Sequence, residues 1–80
     1  MSNPHEYIDF ISSVVASTAD IDEIALSAND SIDTVEHWDS LVTVNMAIAL
    51  SDRFGITVGV DDLDELTSVE GILGVIERSI

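Results

Sequence analysis

Residues 39–55 constrain the fold most, because apolar side chains surround nearly the whole circumference of the helix that they predict. At about 100° per residue, one arc of this helix is expected to face the core of the protein. Its members are Thr43, Met46, Ala47, Leu50 and Phe54. The helix is expected to begin at Asp39 or Ser40 and to run as far as Arg53, and Gly55 is suited to end it.

A second apolar arc lies on or near the opposite side of the same helix. It holds Leu41, Val42, Ile48 and Ala49, and it is interrupted by Asn45 and Asp52. A helix that is apolar all round is normally buried on all sides, but a few short helices can hardly surround one of their own. We therefore expect part of this arc to face solvent as a binding surface; the alternative is that a loop covers it.

A first helix is predicted near the N-terminus, where Asn3 can cap it, Pro4 suits its first position and Glu6 fits a capping box. Its apolar face extends until the helix ends near residues 17–19. The residues of this face are Tyr7, Ile8, Ile11, Val14 and Val15.

A last helix follows Thr67 and Glu70, which form a T-x-x-E capping box. Its predicted apolar face comprises Val69, Ile72, Leu73, Ile76 and Ile80. Gly71 and Gly74 lie on the other side of this helix, where we expect them to face solvent.

Residues 20–38 show no sustained period and are rich in Asp, Ser, Thr and Asn. A loop of this length needs apolar anchors; the candidates, with a short helical turn among them, are Ile21, Ile24, Leu26, Ile32 and Val35. Trp38 is expected to close the loop against the helices. With an extended link over residues 56–58 and a short helical turn over 61–66, the prediction is an all-α fold. It is a small bundle of three main helices plus a short helix, with a long first loop, in one domain covering residues 1–80.

Charge and composition narrow the functional classes. The chain has sixteen acidic residues but only two basic ones, Arg53 and Arg78, so its net charge is −14. This charge disfavours nucleic acid and anionic lipid as partners. The charge fits docking on basic surfaces; the alternative is that it serves solubility alone. There are no cysteines, no membrane-spanning run and no secretory signal, so we expect a cytoplasmic protein.

Ser40 combines a hydroxyl with the start of the second helix. Helix N-termini offer unpaired N–H groups and a partial positive charge, which together favour an attached phosphate. Asp39 can cap the helix there. A serine at this position is more often only a cap itself, so this feature alone leaves both interpretations open.

The run DSLVTVNMAIALSDRFGITV, residues 39–58, resembles the region of acyl carrier proteins that begins with the D-S-L attachment motif. Asp39, Ser40 and Leu41 form that motif here, and residues 54–56 match the family's F-G-I step. The acidic residues 61–65 and the T-S-V sequence at 67–69 match later landmarks. The similarity covers nearly the whole chain.

This resemblance implies that Ser40 carries 4′-phosphopantetheine, which a phosphopantetheinyl transferase transfers from coenzyme A with magnesium in the transferase. The thiol of the arm would hold an acyl or aminoacyl group as a thioester, as in fatty acid or polyketide biosynthesis. The implied partners are that transferase, a loading ligase and downstream synthases or transferases. The chain itself would be a monomer and a non-enzymatic carrier, with no membrane or nucleic-acid partner.

The sequence departs from carriers of primary fatty acid synthesis along the outer face of the second helix, which is usually acidic in them. Here Val42 and Asn45 occupy positions that are commonly acidic, and Arg53 reverses the sign of the charge. The predicted partner surface comprises Leu41, Val42, Asn45, Ile48 and Asp52. We expect it to depend less on charge and more on apolar contact, as in a specialised free-standing carrier.

The sequence also bears on three other functional classes. A calcium loop is disfavoured because Ile24 and Leu66 occupy the third ligand position of the two acidic runs and no Gly follows; no metal ligands are predicted. A serine hydrolase is disfavoured because no G-x-S-x-G elbow surrounds Ser40 and only His5 and His37 could act as bases. An unmodified acidic adaptor on the same fold remains an alternative, as does a helical protein that binds divalent metal ions weakly at its surface.

Overall fold

The computed structural model describes residues 4–79, which form three α-helices and one 3₁₀ helix. In chain order these are α1 (Pro4–Ala19), α2 (Ser40–Phe54), the 3₁₀ helix (Val60–Thr67) and α3 (Val69–Ser79). Within the described residues there is no β-strand, and Ser31 and Ser68 form a single antiparallel bridge. The predicted all-α bundle with a long first loop is confirmed.

The core lies where the three α-helices meet. Side chains with no exposed surface come from every helix: Ile11, Val15, Met46, Leu50, Leu66, Val69, Ile72 and Ile76. In α1, Ile11 and Val15 are fully buried while Tyr7, Ile8 and Val14 are half-buried against the core, so the predicted face is confirmed. The cap predicted at Asn3 lies outside the described residues.

The ends of α1 and α2 are set by backbone conformation. Asp20 follows α1 with a φ of 58°, and its left-handed conformation ends the helix where the sequence predicted. Gly55 follows α2 with a φ of 68°, and its N–H donates to the carbonyl of Ser51 at 3.0 Å. Both helices therefore end in a left-handed residue, and Gly55 adopts that conformation without the steric cost of a Cβ.

The long loop is fixed at its middle and at its end. Ile32 N–H donates to the Thr67 carbonyl at 2.8 Å, and Val69 N–H donates to the Asp30 carbonyl at 3.0 Å, so the loop is bonded to the start of α3. Val35 and Trp38 are 8% and 2% exposed in the core. The other predicted anchors, Ile21, Ile24, Leu26 and Ile32, are half-buried. A helical turn begins at Ser31, whose carbonyl accepts the N–H of Val35 at 3.0 Å.

The cap predicted for α3 is wrong by one residue. Ser68, rather than Thr67, caps the helix: its Oγ accepts the N–H of Gly71 at 2.9 Å. Thr67 is the last residue of the 3₁₀ helix, and its hydroxyl donates to the Asp64 carbonyl at 2.8 Å. Because the 3₁₀ helix extends this far, Thr67 is unavailable to cap the helix that follows.

Gly71 is not the solvent-facing residue that the sequence suggested. A Cβ at Gly71 would overlap the carbonyl oxygen of Glu65 and lie 2.9 Å from its carbonyl carbon, so the 3₁₀ helix and α3 approach too closely for a side chain. A Cβ at Gly74 would meet nothing within 4 Å. Arg78 joins the same two elements, donating to Glu65 at 2.6 Å and lying 3.5 Å from Asp62.

The buried face of α3 is wider than predicted. Val69, Ile72 and Ile76 are buried and Leu73 is half-buried, as expected. Val75, which the predicted face omitted, is only 3% exposed. Ile80 lies outside the described residues.

We expect Gly71→Ala to lower the free energy of unfolding by about 1–3 kcal/mol, because the added methyl group must displace the backbone of the 3₁₀ helix. Gly74→Ala is the matched control in the same helix and should raise it by up to about 1 kcal/mol through helix propensity. Urea denaturation followed by circular dichroism measures both. Changes of the same sign in the two variants would contradict the close approach at Gly71.

Asp30 organises the loop through its carboxylate. Oδ2 accepts the backbone N–H of Ser27 at 2.9 Å, and Oδ1 accepts the Thr34 hydroxyl at 3.0 Å. The Ser27 backbone bond first, and then the Thr34 hydroxyl, hold the pKa of Asp30 below its ordinary value. Because the folded-state pKa is the lower one, this stabilisation is present above the unfolded-state pKa and is lost as the pH falls through the folded-state pKa.

Asp30→Asn is therefore expected to lower the melting temperature at neutral pH, and the gap from the wild type should close as the solution is made acidic. Asp33→Asn removes the same charge three residues away, at a carboxylate that makes no hydrogen bond within residues 4–79. Thermal melts of the three proteins across the acidic range provide the measurement. A gap for Asp30→Asn that stays constant with pH would refute the role of its ionised form.

Candidate functional site

Asp39, not Ser40, caps α2. Asp39 has an extended backbone, with φ −130° and ψ −169°, and its Oδ1 accepts the N–H of Val42 at 3.1 Å. Its carbonyl accepts the N–H of Thr43 at 3.1 Å and the Thr43 hydroxyl at 3.2 Å. The cap thus occupies the residue before the serine, so the Ser40 side chain is not needed to begin the helix.

Ser40 is the first residue of α2, and it is exposed. Its hydroxyl makes no hydrogen bond to any residue in the described range 4–79. The N–H groups of Ser40 and Leu41 belong to the first turn and have no carbonyl acceptor within the helix. An exposed hydroxyl therefore lies beside two N–H donors and the positive end of a helix dipole, a setting that accommodates a phosphate ester.

The loop enters α2 over a buried tryptophan. Trp38 lies in the same buried core as Val35 and Val42, and its backbone N–H donates to the Val35 carbonyl at 3.1 Å. Its indole Nε1 is buried without a hydrogen-bond partner among the described residues. Trp38 therefore fills the gap between loop and helix, as expected, and fixes the chain immediately before Asp39 and Ser40.

A hollow of about 340 Å³ lies beside the start of α2. Glu36, His37 and Asp39 line one part of it, and the end of α1 lines another. No hydrogen bond joins His37 to Ser40 within residues 4–79.

Three exposed apolar side chains follow Ser40 along α2. Leu41 is 59% exposed, Val44 is 48% exposed and Ile48 is 57% exposed. Leu41 and Ile48 were predicted to face solvent. Val44 was missed, although its spacing of three from Leu41 and four from Ile48 puts all three on one face. We call Leu41, Val44 and Ile48 the outer stripe of α2.

Val42 is not part of this surface, so its predicted role in partner contact is wrong. It is 1% exposed and belongs to the core. Val42 and Met46 are four residues apart and share a helix face, and Leu50 continues that face one turn further. Helical periodicity placed Val42 on the outer arc because the two apolar arcs of α2 nearly meet at this residue.

Asn45 and Asp52, the polar members of the predicted surface, differ in their surroundings. Asn45 is half-buried, and its Nδ2 donates to the Thr18 hydroxyl at 3.2 Å, so it joins α2 to the end of α1. Asp52 is exposed. Asn45 therefore contacts α1 and is only partly exposed, whereas the Asp52 side chain is exposed to solvent.

The described residues contain no group of three or more His, Asp or Glu side chains suited to a metal ion. In the same range, residues 4–79, none of the helices has the length and apolar character needed to cross a bilayer.

Fold and site together define a small helical domain in which an exposed serine lies at the capped start of α2, beside the outer stripe. The sequence model of the family described as "Phosphopantetheine attachment site" matches residues 9–76. The chain belongs to this phosphopantetheine-binding family, whose members carry covalently attached 4′-phosphopantetheine. It is therefore a carrier domain for that group. Comparisons with curated proteins and with solved structures find no match.

If Asp39 is the cap, Asp39→Ala should lower the free energy of unfolding by about 1 kcal/mol, whereas Asp39→Ser retains an acceptor oxygen and most of the stability. Ser40→Ala should change it by less than about 0.5 kcal/mol, because the hydroxyl loses no hydrogen bond to the part of the chain that the structure describes. Chemical denaturation of the three variants gives these values. A loss at Ser40 as large as that at Asp39 would show that Ser40 is the cap.

Proposed function

We propose that Ser40 is the attachment residue and that this chain carries acyl or aminoacyl thioesters on its 4′-phosphopantetheine arm. The observation that supports this most is the exposed Ser40 hydroxyl, which has no hydrogen-bond partner among residues 4–79 because Asp39 caps α2. The hydroxyls of Ser12 and Ser68 are engaged in local hydrogen bonds, and Ser51, which is exposed in the same helix, lies near the end of α2 that is far from the first-turn N–H groups. Ser40 also lies within the matched residues 9–76.

In the proposed modification, the Ser40 oxygen attacks the β-phosphorus of coenzyme A in the active site of a separate transferase. The new bond joins Oγ to that phosphorus, the bond to the bridging oxygen of the pyrophosphate breaks, and 3′,5′-ADP leaves. The serine proton passes to a base of the transferase. This chain supplies the accessible nucleophile, and the first-turn N–H groups of α2 stabilise the phosphodiester charge.

The attached arm supplies a terminal thiol on which a cargo is held as a thioester. The protein's own contribution is tethering, because a substrate fixed to a docked carrier reaches an active site at high effective concentration. The partners in this proposal are the phosphopantetheinyl transferase, a loading ligase for acyl or aminoacyl groups, and downstream synthases or transferases of a biosynthetic pathway. We propose that residues 1–80 act as one monomeric carrier domain in the cytoplasm.

Leu41, next to the attachment residue, and the outer stripe that it begins form the proposed docking surface, with Asp52 at its far end. Asn45 contributes only its exposed edge. One carboxylate and one guanidinium, Asp52 and Arg53, are the charged groups of α2, so apolar contact is expected to dominate close to the helix.

The test is intact mass spectrometry after incubation with a broad-specificity phosphopantetheinyl transferase, coenzyme A and magnesium. The wild type should gain the mass of one phosphopantetheine, and Ser40→Ala should gain nothing. Ser51→Ala is the matched control, because Ser51 is an exposed serine near the other end of α2; it should be modified as the wild type is. Continued modification of Ser40→Ala would place the arm elsewhere, and an unmodified wild type would favour an adaptor that carries no arm.

A further inference from the structure

The aromatic side chains of this protein, apart from Trp38, lie together in one cluster. Phe54, the last residue of α2, packs against two rings of α1. Its ring centroid lies 5.6 Å from that of Tyr7 and 5.3 Å from that of Phe10, and the rings meet edge to face in both pairs. All three side chains are half-buried, so the cluster keeps part of its apolar surface in contact with solvent.

These three rings line a hollow of about 680 Å³ between α1 and the end of α2. Glu6 and Asp9 of α1 and Arg53 of α2 line it as well. We call the hollow bounded by these six side chains the aromatic hollow. Phe54 lies fourteen residues after Ser40, about 21 Å along the helix axis, so the hollow is at the other end of α2 from the candidate attachment serine.

The charged groups of the aromatic hollow are not neutralised by ion pairs. Glu6 and Asp9 are three residues apart, which puts them on one face of α1, and both are exposed. The ion pairs within residues 4–79 are made by Arg78. In that range, therefore, neither carboxylate of the hollow is paired with a cation, and the Arg53 guanidinium is not paired with an anion.

The rings of the hollow already hold one cation. The guanidinium carbon of Arg53 lies 5.9 Å from the centroid of the Phe54 ring, within the range of cation–π attraction. Arg53 does not reach the carboxylates of Glu6 and Asp9 from this position. The hollow thus combines rings that accept a guanidinium with two carboxylates that have no cation paired with them among residues 4–79.

We propose that the aromatic hollow is an interaction surface for an arginine side chain of a partner protein. A guanidinium stacks on an aromatic ring and pairs with a carboxylate in a fixed planar geometry, and the stem of the arginine covers exposed ring surface. The ammonium of lysine is more strongly hydrated and lacks that planar geometry. Exposed Asp22 and Glu23, which line a neighbouring hollow of about 370 Å³ together with Asp9, add to the attraction of a cation to this side of the protein.

This surface is formed by α1 and by the last two residues of α2, so it is separate from Ser40 and from the outer stripe. A partner bound here holds the domain while the start of α2 is free to meet a different protein. The inference does not depend on whether Ser40 carries the arm.

Arg53 gives the proposal a consequence that a purely structural role of the cluster would not have. Its guanidinium lies against the Phe54 ring and repels a second cation that enters the hollow. Removal of this charge should therefore strengthen the binding of arginine, whereas removal of the other members of the hollow should weaken it.

The probe is the blocked tripeptide acetyl-Leu-Arg-Leu-amide. Its control is the same tripeptide with citrulline, in which a neutral urea replaces the guanidinium. Each is titrated into the isotope-labelled full chain without the arm, at about 0.05 M NaCl, and the dissociation constant is obtained from the amide chemical shifts. The arginine tripeptide should shift the amides of Tyr7, Phe10 and Phe54 most, and the citrulline tripeptide should bind at least about fivefold more weakly.

Four variants test the contributions of individual side chains. Asp9→Asn should raise the dissociation constant about threefold, whereas Asp61→Asn, which removes the same charge from an exposed residue of the 3₁₀ helix, should leave it unchanged. Phe54→Leu keeps an apolar side chain without the ring and should raise the dissociation constant about threefold. Arg53→Gln should lower it about threefold. Circular dichroism checks that each variant retains the fold.

Equal affinity for the two tripeptides would overturn the proposal, as would shifts that spread over the acidic surface instead of centring on the three rings. So would a loss in Asp61→Asn as large as that in Asp9→Asn, because it would reflect attraction to the net charge alone, or weaker binding by Arg53→Gln. Ser40→Ala should bind the tripeptide as the wild type does. Because the titration uses protein without the arm, failure of the tripeptide to bind refutes this surface alone, and failure of Ser40 to be modified refutes the proposed function alone.

Discussion

The cap on α2 determines which side chain is available for chemistry. Asp39 Oδ1 accepts the Val42 N–H, and the Asp39 carbonyl accepts the N–H of Thr43, so the first turn is closed without Ser40. Had the register differed by one residue, the serine hydroxyl would have been committed to its own helix. The register is set by tertiary packing as well, because Trp38 is buried immediately before the cap, and a tryptophan removes roughly 150–250 Å² from water. The accessibility of one hydroxyl thus depends on a hydrogen bond and on a buried ring two residues earlier.

The same short helix serves as a core element and as an outer surface. Val42, Met46 and Leu50, spaced four apart, give α2 its buried face, and the outer stripe occupies much of the rest. An exposed apolar stripe normally invites self-association. Here the surrounding charge opposes that tendency, because a strongly anionic surface keeps copies of the protein apart. The acidity of the chain therefore makes the exposed outer stripe tolerable.

Local signals in the sequence were sufficient for the bounds of α2, whereas Ser40 was predicted as the attachment residue only through the resemblance carried by the D-S-L motif. Asp39 and Gly55 act within one helical turn of their own positions, so their roles can be predicted without knowing what packs nearby. The role of Gly71 could not be predicted in this way, because what excludes a side chain there is the carbonyl of Glu65, which belongs to the 3₁₀ helix. The cap at Ser68 was missed for a related reason, since it depends on where the preceding 3₁₀ helix ends.

The outer surface of α2 was predicted only in part, because helical periodicity defines a face but not its edges. Val42 lies at the border of the two apolar arcs, and only contact with the core decides its side. Asn45 is comparable, because its hydrogen bond to Thr18 depends on how closely α1 and α2 pack. Residues near the centre of a face, such as Met46 and Ile48, were assigned correctly. Those at its borders required the tertiary structure.

The long loop explains how so small a domain can hold the start of α2 in place. A loop of about twenty residues without regular structure is unusual in a compact domain. In this protein its middle is bonded to the start of α3 through Ile32 and Asp30, and its end is anchored by Trp38. Since α3 is in turn joined to the 3₁₀ helix at Gly71 and Arg78, the start of α2 is braced by elements distant in sequence. A fixed attachment point suits a carrier, because the arm then supplies the motion while the domain supplies the orientation in which it docks.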